Sequence, residues 1–583
     1  MLKNRDRRPV LSLPPDALIR PHGPAPVWRG DNIAGVMQIG PGIALKARRA
    51  TAAEPALLRG LDPIECLTAG FVPWRRVGAT TVVATDGRSP LETILEKLPG
   101  RDGRVVFAPA SQREVQKAIQ SLFAPRLAAR ARNRTDEAFS CRGWMDAPLY
   151  RLWPLLALGV LALGLAAPYF LLGGLLLWIS LVNFATMAVR ATALIESLRA
   201  RPAPPPKGVI PISHGRKLPR VSILLPLLRE DVVLRHLIAN LARTTYPKDL
   251  LDVKLVVEPD DFATQLALAQ IDLPAWITVL ITPPDTLRTK PRALNFALDF
   301  CTGDIVGIYD AEDRPEPEQV MKIVRHFQAA PAEVGCVQGY LDFYNSRQNW
   351  LSRCFTLEYA IWFRVLLGGI QRLGLPIPLG GTTVFFRRQA LEKVGAWDAH
   401  NVTEDADLGM RLARFGLRTE MVATTTMEEA NCHPRAWVKQ RSRWLKGYAI
   451  TWATHMRAPR RLYRDLGAAG FLGFQVLFLG GLTSYLATPL FWLLWAGTFG
   501  VDLALWQMLP EALWLGFFAS MAIGQLLMLA VACRAAAAPA RRHLLITIPT
   551  LVLYWPLGAL AAYRALHELF RAPFYWDKTQ HGL

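Results

Sequence analysis

Residues 152–189, "LWPLLALG…NFATMAV", run for 38 positions without a charged side chain. As one helix this run would be about 57 Å long, nearly twice a ~30 Å hydrocarbon core. The pattern therefore predicts two membrane spans, folded back near Pro168 or Gly173–Gly174. A second apolar block follows "RAPRRLYRD", with candidate spans in 467–500, 511–533 and 543–563, giving five or six in all. Between the blocks the period changes. Short aliphatic or β-branched runs recur as "VSILLPL" (221–227), "VKLVVE" (253–258), "ITVLIT" (277–282), "DIVGIYD" (304–310) and "TTVFF" (382–386). Helical patterns such as "TKPRALNFALDF" and "EPEQVMKIVRHF" separate several of them. This alternation predicts an α/β domain with a largely parallel sheet, whose ligands sit at the carboxyl ends of the strands.

Charge adds an orientation. The 583 residues carry a net charge of +20, although 51% are hydrophobic. Basic residues crowd both flanks of the first apolar run, from Arg126 to Arg142 and from Arg190 to Arg220. By the positive-inside rule both flanks are cytoplasmic. No nucleic-acid-binding motif accompanies the basic excess, so membrane surface and phosphorylated ligands are the expected anionic partners and nucleic acid is not. Seven cysteines occur without a CxxC pair or paired spacing, which predicts reduced thiols and no zinc or disulfide framework. The N-terminus has no apolar h-region, so no cleaved signal peptide is expected.

The chain divides on this reading into a flexible Pro- and Gly-rich 1–40 and a small α/β module over 41–140, with a capped helix starting near Ser111. Two spans follow in 150–190, then the α/β domain in 219–432. Amphipathic interfacial helices occupy 433–465, three or four spans 467–566, and a cytoplasmic tail 567–583.

Three acidic clusters fall at predicted strand ends or helix starts: Asp260 and Asp261 in "VVEPDD", Asp310, Glu312 and Asp313 in "IYDAEDRPEP", and Glu404 and Asp405 in "NVTEDADLG". Each alone is ordinary turn or N-cap chemistry. Gathered at one edge of a sheet in a basic protein, they would repel unless a divalent cation bridged them to a diphosphate. Lys290 and Arg292 in "TKPRALN" would add positive charge to the same phosphates. The stretch "KQRSRWLKGYAITW" (439–452) is both basic and aromatic. Helical spacing projects Gln440, Arg443 and Trp444 together, either into a lipid interface or into a site.

In order, Asp-Asp, Asp-Ala-Glu, Thr-Glu-Asp and Gln-Arg-Ser-Arg-Trp, flanked by spans, resemble the processive membrane glycosyltransferases of family 2, such as cellulose, chitin and hyaluronan synthases. The resemblance covers about 150–583. It implies a GT-A (Rossmann-like) catalytic domain inserted between transmembrane helices of a bacterial inner (cytoplasmic) membrane protein. The implied reaction transfers a sugar with inversion from a UDP-sugar to a growing polysaccharide, or to a lipid-linked acceptor. Asp260, Asp261, Lys290, Arg292 and Asp310 would hold the donor, and Asp310 and Glu312 would bind Mg²⁺ or Mn²⁺. Asp405, beside Glu404, would be the catalytic base. Gln440, Arg443 and Trp444 would hold the diphosphate and acceptor sugar. The tail "FYWDKTQHG" resembles a gating segment, and membrane lipids and export proteins are the implied partners. The module before the first span resembles the N-terminal domain of secretion and pilus-assembly ATPases; the alternative for the whole chain is a membrane scaffold of a secretion apparatus.

Overall fold

The computed structural model describes residues 36–38, 55–98, 104–146, 148–199, 217–492, 501, 508 and 510–575. Two compact units emerge, Met1–Phe123 with Gln265–Asp272, and Ala124–Thr264 with Leu273–Leu583. The first contains β1 (Val36–Gln38), α1 (Pro63–Ala69), β2 (Phe71–Val77), β3 (Thr80–Thr85), α2 (Leu91–Lys97), β4 (Arg104–Pro109) and α3 (Gln112–Leu122). Its four-stranded sheet has the order β1-β4-β3-β2. Ser111 and Glu114 form a reciprocal capping box that starts α3.

The second unit opens with α4 (Ala124–Asn133), α5 (Pro148–Ala166) and α6 (Pro168–Arg199). The first apolar run therefore breaks at Pro168, and α6 continues past Arg190 for about two and a half more turns. An eight-stranded sheet follows, built from β5 (Val221–Leu227), β6 (Leu251–Val257), β7 (Ile277–Ile281), β8 (Ile305–Ile308), β9 (Arg314–Pro315), β10 (Val334–Phe343), β11 (Val384–Arg387) and β12 (Arg418–Glu428). Its helices are α7 (Leu234–Ala242), α9 (Lys290–Leu298), α10 (Gln319–Ala329), α11 (Trp350–Ile361), α12 (Leu367–Arg372), α13 (Arg388–Lys393) and α14 (Glu404–Arg414), while α8 (Phe262–Ala269) belongs from Gln265 onward to the first unit. Beyond them lie α15 (Pro434–His455), α16 (Pro459–Phe474), α17 (Gly481–Leu486), α18 (Glu511–Ala536) and α19 (Leu551–Arg571).

The strand order is β7-β6-β5-β8-β11-β10-β12-β9. The strands β7, β6, β5 and β8 are parallel, and their aliphatic sequences suit strands covered on both faces. The expectation of a largely parallel sheet needs correction: β11 runs antiparallel to both β8 and β10, so the sheet is mixed. Two long strands escaped the sequence pattern. β10 contains two glycines and a buried glutamine, and β12 is rich in threonine and charge, so neither reads as an aliphatic run.

Among the described residues four helices are long and apolar enough to cross a membrane: Pro168–Arg199, Pro459–Leu486, Glu511–Ala536 and Pro539–Arg571. Leu152–Ala166 is a shorter apolar helix. Part of the expected 467–500 block and the tail beyond Tyr575 lie outside the described residues.

The basic-aromatic stretch packs against protein along much of its length. Trp437, Ser442, Leu445, Lys446, Gly447 and Ile450 of α15 are all buried by protein. Lys446 donates to Glu568 at 3.1 Å and to the carbonyls of Ala572 and Tyr575. A buried network ties α15 to its neighbours. Asp407 of α14 binds Arg411 at 2.8 Å and His455 at 3.1 Å, while Arg414 donates to His455 Nδ1 and to Asp465 of α16. Burial lowers the His455 pKa, so the ring is neutral and its Nε2–H donates to Asp407.

Close packing inside the sheet gives a stability test. A Cβ on Gly307 of β8 would lie 2.3 Å from the Phe385 ring of β11. Gly307→Val should cost about 1–3 kcal/mol through overpacking, measured as a lower Tm of the purified protein; an unchanged Tm would refute the contact.

Candidate active site

One cavity of ≈ 970 Å³ gathers residues from many separate segments of the second unit. Lys290 stands at the start of α9, where Thr289 caps the helix and Pro291 fits its first turn. The Lys290 ammonium donates to Asp310 Oδ1 at 2.5 Å and to the Gly381 carbonyl at 3.0 Å. Asp310 follows β8 at the carboxyl edge of the sheet. The turn after it is braced by Asp313, which accepts from the Asp310 backbone N–H at 2.8 Å and from Thr382 Oγ1. Asp313 thus serves the turn, and Glu312 takes the cavity wall.

Asp405 enters from the first turn of α14. Its Oδ1 accepts from the Ala406 N–H at 2.7 Å, and its Oδ2 lies 3.2 Å from where a Gly381 Cβ would stand. The Lys290 Nζ is 3.7 Å from that same point, so acid and ammonium flank one glycine. Thr403 occupies the N-cap position without capping through its side chain. It packs instead on α15 at Gly447, where a Cβ would meet Thr403 Oγ1 at 2.2 Å.

The helix α15 brings Gln440, Arg443 and Trp444 to the same wall. Asn431 Nδ2 donates to Gln440 Oε1 at 2.9 Å and orients that amide. The Trp444 ring lies near Tyr359, with centroids 6.4 Å apart, and the Arg441 guanidinium sits 4.7 Å from the Trp444 centroid. Glu358 holds Arg441 at 2.6 Å.

The electrostatics are those of crowded acids short of cations. Burial, then Asp310, pushes Glu312 up to about 8. Burial, then Asp405, pushes Glu404 up to about 7, with Lys290 and Arg443 pulling the other way. Burial likewise raises Asp405, against the Ala406 amide, Lys290 and Arg443. Glu428, at the end of β12, is held well above the carboxylate range by burial and by Asp313, Glu312 and Asp310. The buried Asp313 Oδ1 and Glu428 Oε1 have no hydrogen-bond partner among the described residues. Lys290 is raised despite its burial because Asp310, Glu404 and Asp405 surround it.

Such a donor set fits a hard divalent cation. Among the described residues no three His, Cys, Asp or Glu side chains stand ready as a metal cluster. That accords with a cation held by one or two carboxylates and completed by substrate phosphates. Asp310 and Glu312 are the residues that would hold it.

Not every residue singled out in the sequence reaches the cavity. Arg292 is wholly buried, chelating Glu258 at 2.7 and 2.9 Å and donating to the Pro283 carbonyl, so it cannot serve phosphates as expected. Asp261 is buried, accepting from the Arg229 N–H at 2.5 Å and the Thr264 N–H at 3.3 Å, and so holds a turn. Asp260 pairs with Arg288 half-exposed; Arg288, not Asp260, lines the cavity. Sequence reading missed Glu428 and Glu429, which also line it. The acid pair in "TMEEANCHP" just ahead of the α15 sequence was the available signal.

Because Glu312 and Glu404 bind protons more tightly folded than unfolded, the folded protein holds more protons between their ordinary 4.5 and about 8. Stability without donor or cation should then fall as pH rises through that window. Glu312→Gln should flatten the upper part of the Tm–pH curve; a slope equal to wild type would contradict the assigned crowding.

Residues 305–556 match the model described as glycosyl transferase family group 2. The probable glycosyltransferase YdaM of Bacillus subtilis is 28% identical over 235 residues, 40% of this chain and 56% of that protein. Beta-monoglucosyldiacylglycerol synthase of Trichormus variabilis is 30% identical over 237 residues, 40% of this chain and 49% of that protein. The chain thus spans about half the length of these curated relatives. Among solved structures, the mannosyltransferase PcManGT from Pyrobaculum calidifontis, in complex with GDP-Man and Mn²⁺, aligns with a TM-score of 0.41 at 19% identity, over 67% of this chain and 98% of that one. Over residues 305–556, less than half of its length, the chain is therefore similar to glycosyl transferase family group 2.

Proposed function

We propose that the protein is a membrane-associated inverting glycosyltransferase, using a UDP-sugar and delivering the sugar to an acceptor that approaches from the membrane side. The observation that carries this reading is the single cavity. It contains Lys290, Asp310, Glu312, Asp405, Arg443 and Trp444, and it continues between α6, α17, α18 and α19.

On this reading Asp405 removes the proton of an acceptor hydroxyl. The hydroxyl oxygen then forms a bond to the anomeric carbon as the bond to the diphosphate breaks. Burial favours the protonated form of Asp405 and so offsets the weakening of a base at a helix N-terminus. Lys290 and Arg443 stabilise the charge that develops on the departing nucleoside diphosphate. A divalent cation, when bound at Asp310 and Glu312, supplies further charge neutralisation to that diphosphate. Trp444 and Tyr359 offer ring faces to the acceptor sugar.

The acceptor is read first as a growing polysaccharide, extended at a cytoplasmic face of the inner membrane and passed between the helices. A lipid-linked acceptor is the second reading. Apolar side chains such as Val182, Leu529 and Val552 on the membrane-side wall favour it, as does the diacylglycerol-glycosylating relative. The N-terminal unit is read as a regulatory or docking module.

Membranes containing the protein, given a panel of labelled UDP-sugars, should transfer one of them. Asp405→Asn should reduce turnover by roughly 10²–10⁴ while keeping donor affinity. Asp310→Ala should abolish the divalent-cation dependence of donor binding. Equal turnover and equal donor affinity in all three proteins would overturn the assignment.

A further inference from the structure

Besides Arg288 and Arg441, which are held by Asp260 and Glu358, the cavity wall contains a further cation that the transfer mechanism leaves unused. Arg190 lies on α6, immediately after the uncharged run that ends at residue 189. It is half-buried and forms part of the cavity wall. Among the described residues it has no hydrogen-bond or ion-pair partner, and the titratable side chain near enough to act on it is Tyr485. Neighbouring cations differ. Arg441 is paired with Glu358, Lys446 with Glu568, and Arg534 with the Ser197 carbonyl. An arginine facing inward from an apolar helix without a counter-charge marks a ligand position, because its desolvation is otherwise uncompensated.

Its surroundings define what the ligand must be. Asn183, Thr186 and Arg190 follow one another at spacings of three and four, so they form one polar line along α6, and all three face the cavity. One turn beyond Arg190, Ala193 packs directly on Gly369 of α12, where the catalytic half of the unit begins. Arg190 therefore stands at the level where the cavity passes from the acidic site into the space between apolar helices. With α6 across a bilayer, the end of its uncharged run coincides with the phosphate level of the lipids. A guanidinium at that depth presents a planar fork suited to phosphate oxygens.

We infer that Arg190 is the subsite for the phosphate of a lipid-linked acceptor, whose hydrocarbon lies between α6, α18 and α19 while its head reaches Asp405. This deepens the second acceptor reading above and rests on the cavity admitting an acceptor from the membrane side. Away from its cations, Lys290 and Arg443, the acidic half of the cavity repels a phosphate, so Arg190 also sets which end of an amphiphile enters first and how far.

The full-length protein in neutral detergent is tested against a long-chain polyisoprenyl monophosphate and the uncharged alcohol of the same chain, with retention read by native mass spectrometry. Wild type should retain the monophosphate over the alcohol by roughly tenfold or more. Arg190→Gln should retain the two equally, and Arg190→Lys should keep part of the preference. Equal retention by wild type, or an undiminished preference in Arg190→Gln, overturns the subsite. Inorganic phosphate that binds as tightly as the lipid monophosphate would assign the position to a soluble anion and overturn the lipid assignment. UDP binding by calorimetry on the same samples reports folding and donor recognition separately, so failure of the transfer reading is distinguishable from failure of this one.

Discussion

The second unit is organised around too many carboxylates meeting too few cations in one partly buried cavity. Asp310, Glu312, Glu404, Asp405 and Glu428 converge on Lys290 and Arg443. Burying acids together is costly, and a protein tolerates it where the cost falls when a ligand arrives. Lys290 is the element that makes the arrangement tenable in the free protein. Its ammonium is held between Asp310 and the Gly381 carbonyl, within the field of Glu404 and Asp405. Raised proton affinity in the remaining acids shows that one lysine and one arginine do not satisfy them all.

The surrounding fold keeps those acids from relaxing apart. Asp310 is fixed by the Asp313 brace, Asp405 by the start of α14, and α14 by the buried Asp407, Arg411, His455 and Arg414 network. The helix bearing Gln440, Arg443 and Trp444 is itself buried against the last apolar helix through Lys446 and Glu568. The membrane-side helices therefore do more than anchor the α/β part, since they complete the walls of its cavity.

Much of this was legible in the amino-acid order. Parallel strands covered on both faces read as aliphatic runs, so β5 to β8 appeared within a residue or two of their observed bounds. Lys290, Asp310, Glu312, Glu404, Asp405, Gln440, Arg443 and Trp444 do lie on one cavity wall. What failed was the direction of side chains. Arg292 stands two residues from Lys290 on α9, about 200° around the helix, so the two cannot face the same way. That contradiction was available in the spacing. Asp261 could not be told from a ligand, because a carboxylate that ties a turn and one that meets a substrate both follow strands. The strands β10 and β12 stayed hidden because their glycines, threonines and charges are tolerated only by their neighbours in the finished sheet.

The missing side chain at position 447 has a mechanical meaning. With Thr403 seated against bare backbone, no slack exists between the segment that offers the base and the segment that offers the guanidinium and indole. These groups must travel as one rigid jaw. Any adjustment to a longer or shorter substrate therefore falls to the opposite side, at the inner faces of the apolar helices that line the cavity.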